Sequence, residues 1–171
     1  KKKKILLISE GTAITEVKNN FKLIKIIKSS SNFFDEIILD PKYFKDPKFK
    51  KKIIEFNPQV KCANYSEAMF KKISHAIIKP GLGTVSNCIS NNIQCLYYYK
   101  GYNKEFELNA IMLENFGLGK KFNIINFKKF LNSYCKINYY KNQYIKFKKM
   151  EWFADKITAK IILQQLIKNE K

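Results

Sequence analysis

Three short turns contain the residues best suited to bind a phosphate, each between an apolar run and a helix-like pattern. They span residues 9–12, 80–84 and 100–105. Glycine lets backbone N–H groups approach a ligand closely, and a helix N-terminus favours an anion there. In the second turn, Gly81 and Gly83 would expose backbone amides, and the Thr84 hydroxyl would add a donor. The sequence therefore predicts a nucleotide-diphosphate site, with a purely structural tight turn as the alternative.

The segments between these turns alternate between apolar runs and helix-period patterns. Runs typical of strands covered on both faces of a parallel sheet occupy residues 5–8, 36–40, 76–78, 94–99 and 121–125, with a further strand at either 53–56 or 59–62. Helical patterns occupy residues 17–28, 65–73, 84–91, 104–116 and 151–168, with a helical turn at 127–131 and a loop or short helix at 41–52. The sequence thus predicts an α/β fold, a single Rossmann-like three-layer sandwich over residues 1–171 with a mainly parallel sheet of about six strands.

In such a sheet, ligands bind where the carboxyl ends of strands lead into helix N-termini, which is where the three turns fall. Gly11 stands alone in the first turn, so the G-x-G-x-x-G fingerprint of dinucleotide-binding folds is missing there. This argues against an ordinary NAD-dependent enzyme. Two signals mark element ends: Ser66 is predicted to cap the start of a helix, and Gly117 to end one.

The net charge of +19 suggests an anionic partner. All 33 basic residues are lysine, however, and arginine, the better residue for bidentate contacts with phosphate and guanine, does not occur. The lysines are spread over nearly the whole chain, and isoleucine and asparagine are abundant, as an AT-rich genome would produce. We therefore disfavour nucleic acid as a partner and keep a functional anion-binding surface as the alternative.

The length and hydropathy of the chain indicate a globular protein. Its 171 residues are enough for one domain with a full core, and 46% of them are hydrophobic. No apolar run approaches the roughly 18 residues that a membrane helix needs, and no signal peptide is visible. We expect a cytoplasmic protein, with a position at the inner face of a membrane as an alternative. Because residue 1 is lysine, we also expect a fragment or a trimmed chain.

The cysteines do not suggest a metal site. Cys62, Cys88, Cys95 and Cys135 form no C-x-x-C pair, and the single histidine, His75, is not beside any of them. The spacing therefore does not predict a zinc site. We expect reduced, buried thiols.

A longer pattern begins at the second turn. Residues 81–120 read GLGTVSNCISNNIQCLYYYKGYNKEFELNAIMLENFGLGK and resemble the C-terminal, nucleotide-sugar-binding half of GT-B glycosyltransferases. The most similar branch includes the lipid II-forming N-acetylglucosaminyltransferase of peptidoglycan synthesis. That family has a glycine turn followed by T-x-x-E, then E-Q-x-x-N-A and L-x-x-x-G-x-G. The matching positions are Gly81, Gly83, Thr84, Glu105, Asn109, Ala110, Leu113, Gly117 and Gly119, with weaker likeness at residues 57–69 and Gly11.

The resemblance implies one half of a GT-B fold that binds a nucleotide-diphosphate sugar, with a UDP-sugar favoured and no metal or other cofactor. The implied donor contacts are Gly11, Thr12, Gly81, Leu82, Gly83, Thr84, Asn87, Asn103, Glu105 and Asn109. The turn would hold the diphosphate, and residues 62–66 would lie against the base. Asn87 stands where the family has a ribose-binding glutamate, and Phe106 where it has glutamine. Asn109 is also expected to act as a structural cap of its loop.

The resemblance further implies that this half needs a partner. In GT-B enzymes the other half binds the acceptor and usually supplies the general base, so no catalytic residue is predicted here. An N-terminal acceptor domain or a separate, membrane-bound subunit would complete the enzyme, and residues 151–168 would form one contact with it. Two other functions stay open: a nucleotide-sugar hydrolase or epimerase, and a nucleic-acid or anionic-membrane module built on residues 138–149.

Several of these residues also have ordinary structural explanations. Glu105 would suit a first helical turn, where an acid favours the helix dipole. His75 precedes a strand at a position where the family often has aspartate, and a catalytic role for it is the minor alternative. Tyr97, Tyr98 and Tyr99 are expected to alternate in sheet packing rather than to form a base-stacking platform.

Overall fold

The computed structural model describes residues 3–9, 20–57, 59–99, 103–115 and 117–121, together with residue 131. Within these ranges six strands form one sheet: β1 (Ile5–Ser9), β2 (Glu36–Leu39), β3 (Val60–Cys62), β4 (His75–Ile78), β5 (Gln94–Tyr97) and β6 (Gly119–Lys121). Their order is β3-β2-β1-β4-β5-β6, and every neighbouring pair is parallel. The predicted parallel sheet is confirmed.

Helices cover both faces of this sheet. They are α1 (Asn20–Ser30), α2 (Pro47–Phe56), α3 (Glu67–Phe70), α4 (Leu82–Ser90) and α5 (Lys104–Asn115), with a 3₁₀ helix at Pro41–Phe44. Alternate residues of each strand enter opposite cores: Leu7 packs with residues of α3, α4 and α5, whereas its neighbours Leu6 and Ile8 pack with α1 and α2. Burial on both faces explains why the strands are apolar without alternation. The three-layer sandwich is confirmed.

Local signals fix several helix ends. Asp46 accepts hydrogen bonds from Lys48 N and Phe49 N, and Pro47 occupies the first helical position of α2. The Ser66 hydroxyl accepts from Met69 N over 3.2 Å, as predicted for the start of α3. Gly117 adopts a left-handed φ of 64° after α5, as predicted.

Some predicted boundaries are wrong. Residues 53–56 continue α2 instead of forming a strand, because the cap at Asp46 starts a helix that buries Ile53 and exposes Ile54; the alternative at 59–62 is right. Helix α4 begins at Leu82 rather than Thr84, and β5 ends at Tyr97 rather than Tyr99.

The last strand differs most from its prediction. It was expected at residues 121–125, but β6 runs over Gly119–Lys121 and begins immediately after the turn that ends α5. Residues 10–19, 122–130 and 151–168 lie outside the described ranges, so the start predicted for the first helix, the helical turn at 127–131 and the final helix stay predictions. In the described ranges, no helix combines the length and the apolar character needed to cross a lipid bilayer.

Candidate functional site

The strand order creates a crevice between β1 and β4. Connections from β1 run toward β2 and β3, whereas those from β4 run toward β5 and β6, and ligands of open α/β sheets bind outside the strand ends where the order reverses in this way. Lys79 N donates to Ser9 O over 3.1 Å, so the ends of the two strands are joined there. The N-terminus of α4 follows directly after β4 at this edge.

The N-terminus of α4 has donors to offer. Its N-cap is Gly81, and the first intrahelical bond runs from Val85 N to Gly81 O over 3.0 Å. The N–H groups of Leu82, Gly83 and Thr84 precede that bond, and no side chain among the described residues caps this end. These donors, which have no side-chain cap in the described part of the chain, and the positive end of the helix dipole make this position favourable for an anion.

Packing against the described residues does not explain the two glycines of this turn. A Cβ placed at Gly81 or at Gly83 would meet no described atom within 4 Å, and neither residue has a left-handed φ. A tight structural turn would use glycine for such a φ, so that alternative is not supported. Glycine inside a helix instead lowers its stability by about 0.5–1 kcal/mol. Among the described residues, the space above these two positions is therefore open.

Helix α5 is fastened to the same turn. The buried Asn109 side chain donates from Nδ2 to Pro80 O over 2.9 Å, which agrees with the structural role predicted for it. Asn103 Oδ1 accepts from Phe106 N over 3.2 Å and so caps the start of α5. Both amides therefore have structural partners within the chain.

The other predicted contacts lie around the turn. Leu82 is 61% exposed, and Thr84 is half-buried. Asn87 is exposed one turn beyond Gly83 on α4, and Glu105 is exposed in the first turn of α5, where a purely dipole-favouring role also fits. The structure thus brings the α4 and α5 residues to one edge. Gly11 and Thr12 lie outside the described residues.

One polar cluster at this edge was not predicted as a unit. Tyr65 donates from its hydroxyl to Asp40 Oδ2 over 2.9 Å, and the Ser9 hydroxyl lies 2.9 Å from the same Tyr65 oxygen. Burial, reinforced by Asp40, raises the pKa of Tyr65 well above its ordinary value. Tyr65 also has a left-handed φ of 53°. These bonds hold the loop 62–66 against the end of β1. The only sequence signal for this cluster was Asp40, an acid directly after a buried strand.

A second unpredicted contact joins Lys79 to Phe106. The Lys79 Nζ lies 4.6 Å from the centroid of the Phe106 ring, at the distance of a cation–π interaction. The Phe106 ring lies 6.4 Å from that of Tyr99, which in turn stacks on Tyr97. Sequence spacing could not reveal a pair 27 positions apart. The predicted packing role of the tyrosines is supported, since Tyr97 and Tyr99 belong to one core and Tyr98 to the other.

His75 is not part of this edge. It begins β4, so it lies at the opposite end of the strand from the turn, with its Nδ1 2.9 Å from the Ser74 hydroxyl and its ring edge-on to Phe34. Burial and the nearby Lys4 ammonium lower the pKa of His75 to about 4. The structure therefore places His75 away from the candidate site.

The cysteines agree only partly with their prediction. Cys88 and Cys95 are buried free thiols as expected, but Cys62 is exposed, because it ends the edge strand β3. Cys135 lies outside the described residues. Within the described ranges, no three side chains of the types that ligate metals come together.

Comparisons with known proteins connect this fold to glycosyltransferases. No protein-family model matches the sequence, and no curated protein matches it. Among solved structures, the UDP-glucose: anthocyanidin 3-O-glucosyltransferase in complex with UDP is similar over 87% of this chain, with a TM-score of 0.65 and 13% identity. The spinosyn rhamnosyltransferase SpnG complexed with thymidine diphosphate is similar over 93%, with a TM-score of 0.64 and 15% identity. The glycosyltransferase of kitacinnamycin is similar over 86%, with a TM-score of 0.64 and 11% identity.

These likenesses show the fold of the chain. It is an α/β Rossmann-like fold of the kind found in GT-B glycosyltransferases, as predicted. The chain spans 36%, 42% and 38% of the length of these three structures, so it corresponds to about two fifths of each.

Proposed function

We propose that this chain is the donor-binding domain of a GT-B glycosyltransferase and that it binds a nucleotide-diphosphate sugar at the N-terminus of α4. The observation that carries the proposal is the helix end at the crevice, which no described side chain caps and where the space above two glycines is free of described atoms. Nucleoside diphosphates bound to similar folds, UDP in the anthocyanidin enzyme and thymidine diphosphate in SpnG, support it.

The proposed binding mode follows from the chemistry of the edge. The diphosphate would accept hydrogen bonds from the N–H groups of Leu82, Gly83 and Thr84 and from the Thr84 hydroxyl. Asn87 would face the ribose, and the loop 62–66 the base. Fixed amides and cations stabilise the charge of a diphosphate leaving group, so this arrangement suits electrostatic catalysis without a metal.

The finer assignment is to the branch that includes the lipid II-forming enzyme, with a UDP-sugar as donor. It rests on the spacing of Gly81, Thr84, Glu105 and Asn109. We further propose that an acceptor-binding domain or subunit completes the enzyme, at the inner face of a membrane, and that residues 151–168 contact it. The share of the solved structures that this chain spans supports a second half.

Calorimetric titration of the chain with UDP and with uridine tests the proposal. We expect UDP to bind and uridine to bind far more weakly, because uridine lacks the diphosphate. Gly83→Ala should weaken UDP binding about tenfold, or about 1.4 kcal/mol, since its methyl group would occupy the approach to the amides. Ser90→Ala, at the exposed other end of α4, is the matched control and should leave UDP binding unchanged.

The opposite outcome would support the basic-module alternative. If the chain does not bind UDP but binds an unrelated oligonucleotide tightly and with strong salt dependence, the proposal is wrong.

A further inference from the structure

Unlike an ordinary surface lysine, Lys79 places its ammonium group over an aromatic ring, that of Phe106. The ammonium group lies 4.6 Å from the centroid of the ring, and the Lys79 side chain is only half exposed. Among the described residues it forms no ion pair. A cation held in this way keeps its full charge, because an aromatic face attracts an ammonium group without neutralising it.

The position of this ammonium group is tied to the donor turn on two sides. Lys79 stands two residues before the N-cap Gly81, whose N–H donates to Lys79 O over 2.8 Å. Phe106 stands three residues before Asn109 on α5, so both side chains lie on the same face of that helix. Because Asn109 holds Pro80 O, this face of α5 packs against the turn itself. The ammonium group is thus held between the first turn of α5 and the chain that enters α4.

The ring has support of its own. Tyr99 lies 6.4 Å from Phe106 with its ring tilted by 60°, and Tyr97 stacks on Tyr99 from the core side. On Tyr99, a second ammonium group, that of Lys121, lies 4.6 Å from the ring centroid. The aromatic residues therefore continue from the buried core to the edge where Lys79 lies. Such backing limits the motion of the Phe106 ring and of the charge placed on it.

We propose that Phe106 is a positioning residue that holds the Lys79 ammonium group beside the donor turn, where it binds the diphosphate of the nucleotide sugar. This inference rests on the proposed function and adds to it the way in which the charge is held. A carboxylate in place of the ring would also fix the lysine, but it would neutralise the ammonium group and repel the diphosphate. The ring fixes the lysine without neutralising it, so the N–H donors that point away from the ring can reach the diphosphate.

Binding of UDP and of uridine to a set of variants tests the inference. Phe106→Leu keeps an apolar side chain but removes the aromatic face, and it should weaken UDP binding about three- to tenfold while leaving uridine binding unchanged. Phe106→Tyr restores the face and should bind UDP as the unaltered chain does. Lys79→Met should weaken UDP binding at least tenfold, because it removes the charge itself.

The double variant Lys79→Met/Phe106→Leu separates positioning from packing. If Phe106 acts through Lys79, the double variant binds UDP no more weakly than Lys79→Met alone. The inference is overturned if the chain binds UDP but Phe106→Leu does not weaken it, or if Phe106→Leu weakens it equally in the Lys79→Met background. Failure of the unaltered chain to bind UDP would instead overturn the proposed function on which the inference rests.

Discussion

Asn87 is the residue at which the candidate site departs most clearly from the family that it resembles. It is exposed on α4, one turn beyond Gly83, where the resemblance places a glutamate for the ribose hydroxyls. A carboxylate accepts hydrogen bonds from hydroxyl groups about twice as strongly as a neutral amide does. In the proposed binding mode, the group that faces the ribose is therefore the weaker acceptor.

Asn87→Glu should accordingly tighten UDP binding about tenfold. The gain should be smaller for 2′-deoxyuridine diphosphate, which offers one hydroxyl fewer. Ser90→Glu adds the same charge one turn further along α4 and is the control, for which we expect no gain. Calorimetry measures the affinity of each variant for both nucleotides. An equal gain in affinity for both would show that Asn87 does not face the ribose.

His75 gives a prediction about stability that is independent of the donor site. Its folded pKa of about 4 lies below the value of about 6.5 expected in an unfolded chain. Between these values the unfolded chain binds a proton that the folded chain does not, so the free energy of unfolding falls as the pH drops from 6.5 toward 4. Above pH 6.5 the neutral ring is present in both states, and this contribution to stability is complete.

Urea unfolding at pH 7 and at pH 5 measures this effect. We expect the contribution of His75 to the free energy of unfolding to fall by about 2 kcal/mol from pH 7 to pH 5. Glutamine cannot take up this proton. Between pH 7 and pH 5, the free energy of unfolding of His75→Gln should therefore fall by about 2 kcal/mol less than that of the unaltered chain. Equal losses in the two proteins would contradict the lowered pKa.

Helix α5 packs so closely against β6 that position 119 has room only for glycine. A Cβ at Gly119 would lie 2.5 Å from Leu113 Cβ, so the strand can follow the helix this closely only with glycine there. Gly119 matches the family pattern, but its role here is the approach of two elements rather than contact with a ligand. In the proposed binding mode, family anchors of the same residue type therefore serve different purposes at Gly83 and at Gly119.

Gly119→Ala should lower the free energy of unfolding by about 1–3 kcal/mol, because the added methyl group overpacks the contact with Leu113. Gly83→Ala is the matched control. It meets no described atom within 4 Å and should raise the stability by up to about 1 kcal/mol, since alanine favours the helix. Urea unfolding curves compare the two, and a Gly119→Ala variant as stable as the unaltered chain would refute the close contact.

Whether the sequence indicated an element depended on how completely its faces are buried. Strands β1, β2, β4 and β5 were found from their apolar runs, because both faces of each are covered. The edge strand β6 was misplaced, since two of its three residues are exposed lysines and give no such run. Helix α2 was predicted only in part, as a loop or short helix at residues 41–52, because Ile53 and Ile54 together resemble a strand. The Asp46-Pro47 start is the sequence signal that marks this helix.

Only part of the candidate site could be predicted from the sequence. The turn at residues 80–84 was found because glycines and a hydroxyl lie adjacent in the sequence. The contacts of Lys79 with Phe106 and of Tyr65 with Asp40 were not, because tertiary packing joins residues 27 and 25 positions apart. A local pattern can indicate a helix N-terminus, but not the side chains that the fold brings to it.

For the whole molecule, the net charge of +19 and the candidate site make different predictions about where an anion binds. A general attraction of the lysines would act over the entire surface, including the lysine-rich helix α2. The proposed donor site would act at one edge of the sheet, at the N-terminus of α4. The location of a bound nucleotide therefore distinguishes a donor-binding domain from a basic module.

Backbone amide resonances followed by nuclear magnetic resonance during titration with UDP measure that location directly. We predict that the amides of Leu82, Gly83 and Thr84 shift with UDP until they saturate, that they hardly respond to uridine, and that the amides of Lys50 and Lys51 in α2 stay in place. If UDP leaves the three α4 amides unmoved, or shifts those of α2 equally, the chain does not hold a nucleotide diphosphate at the proposed site.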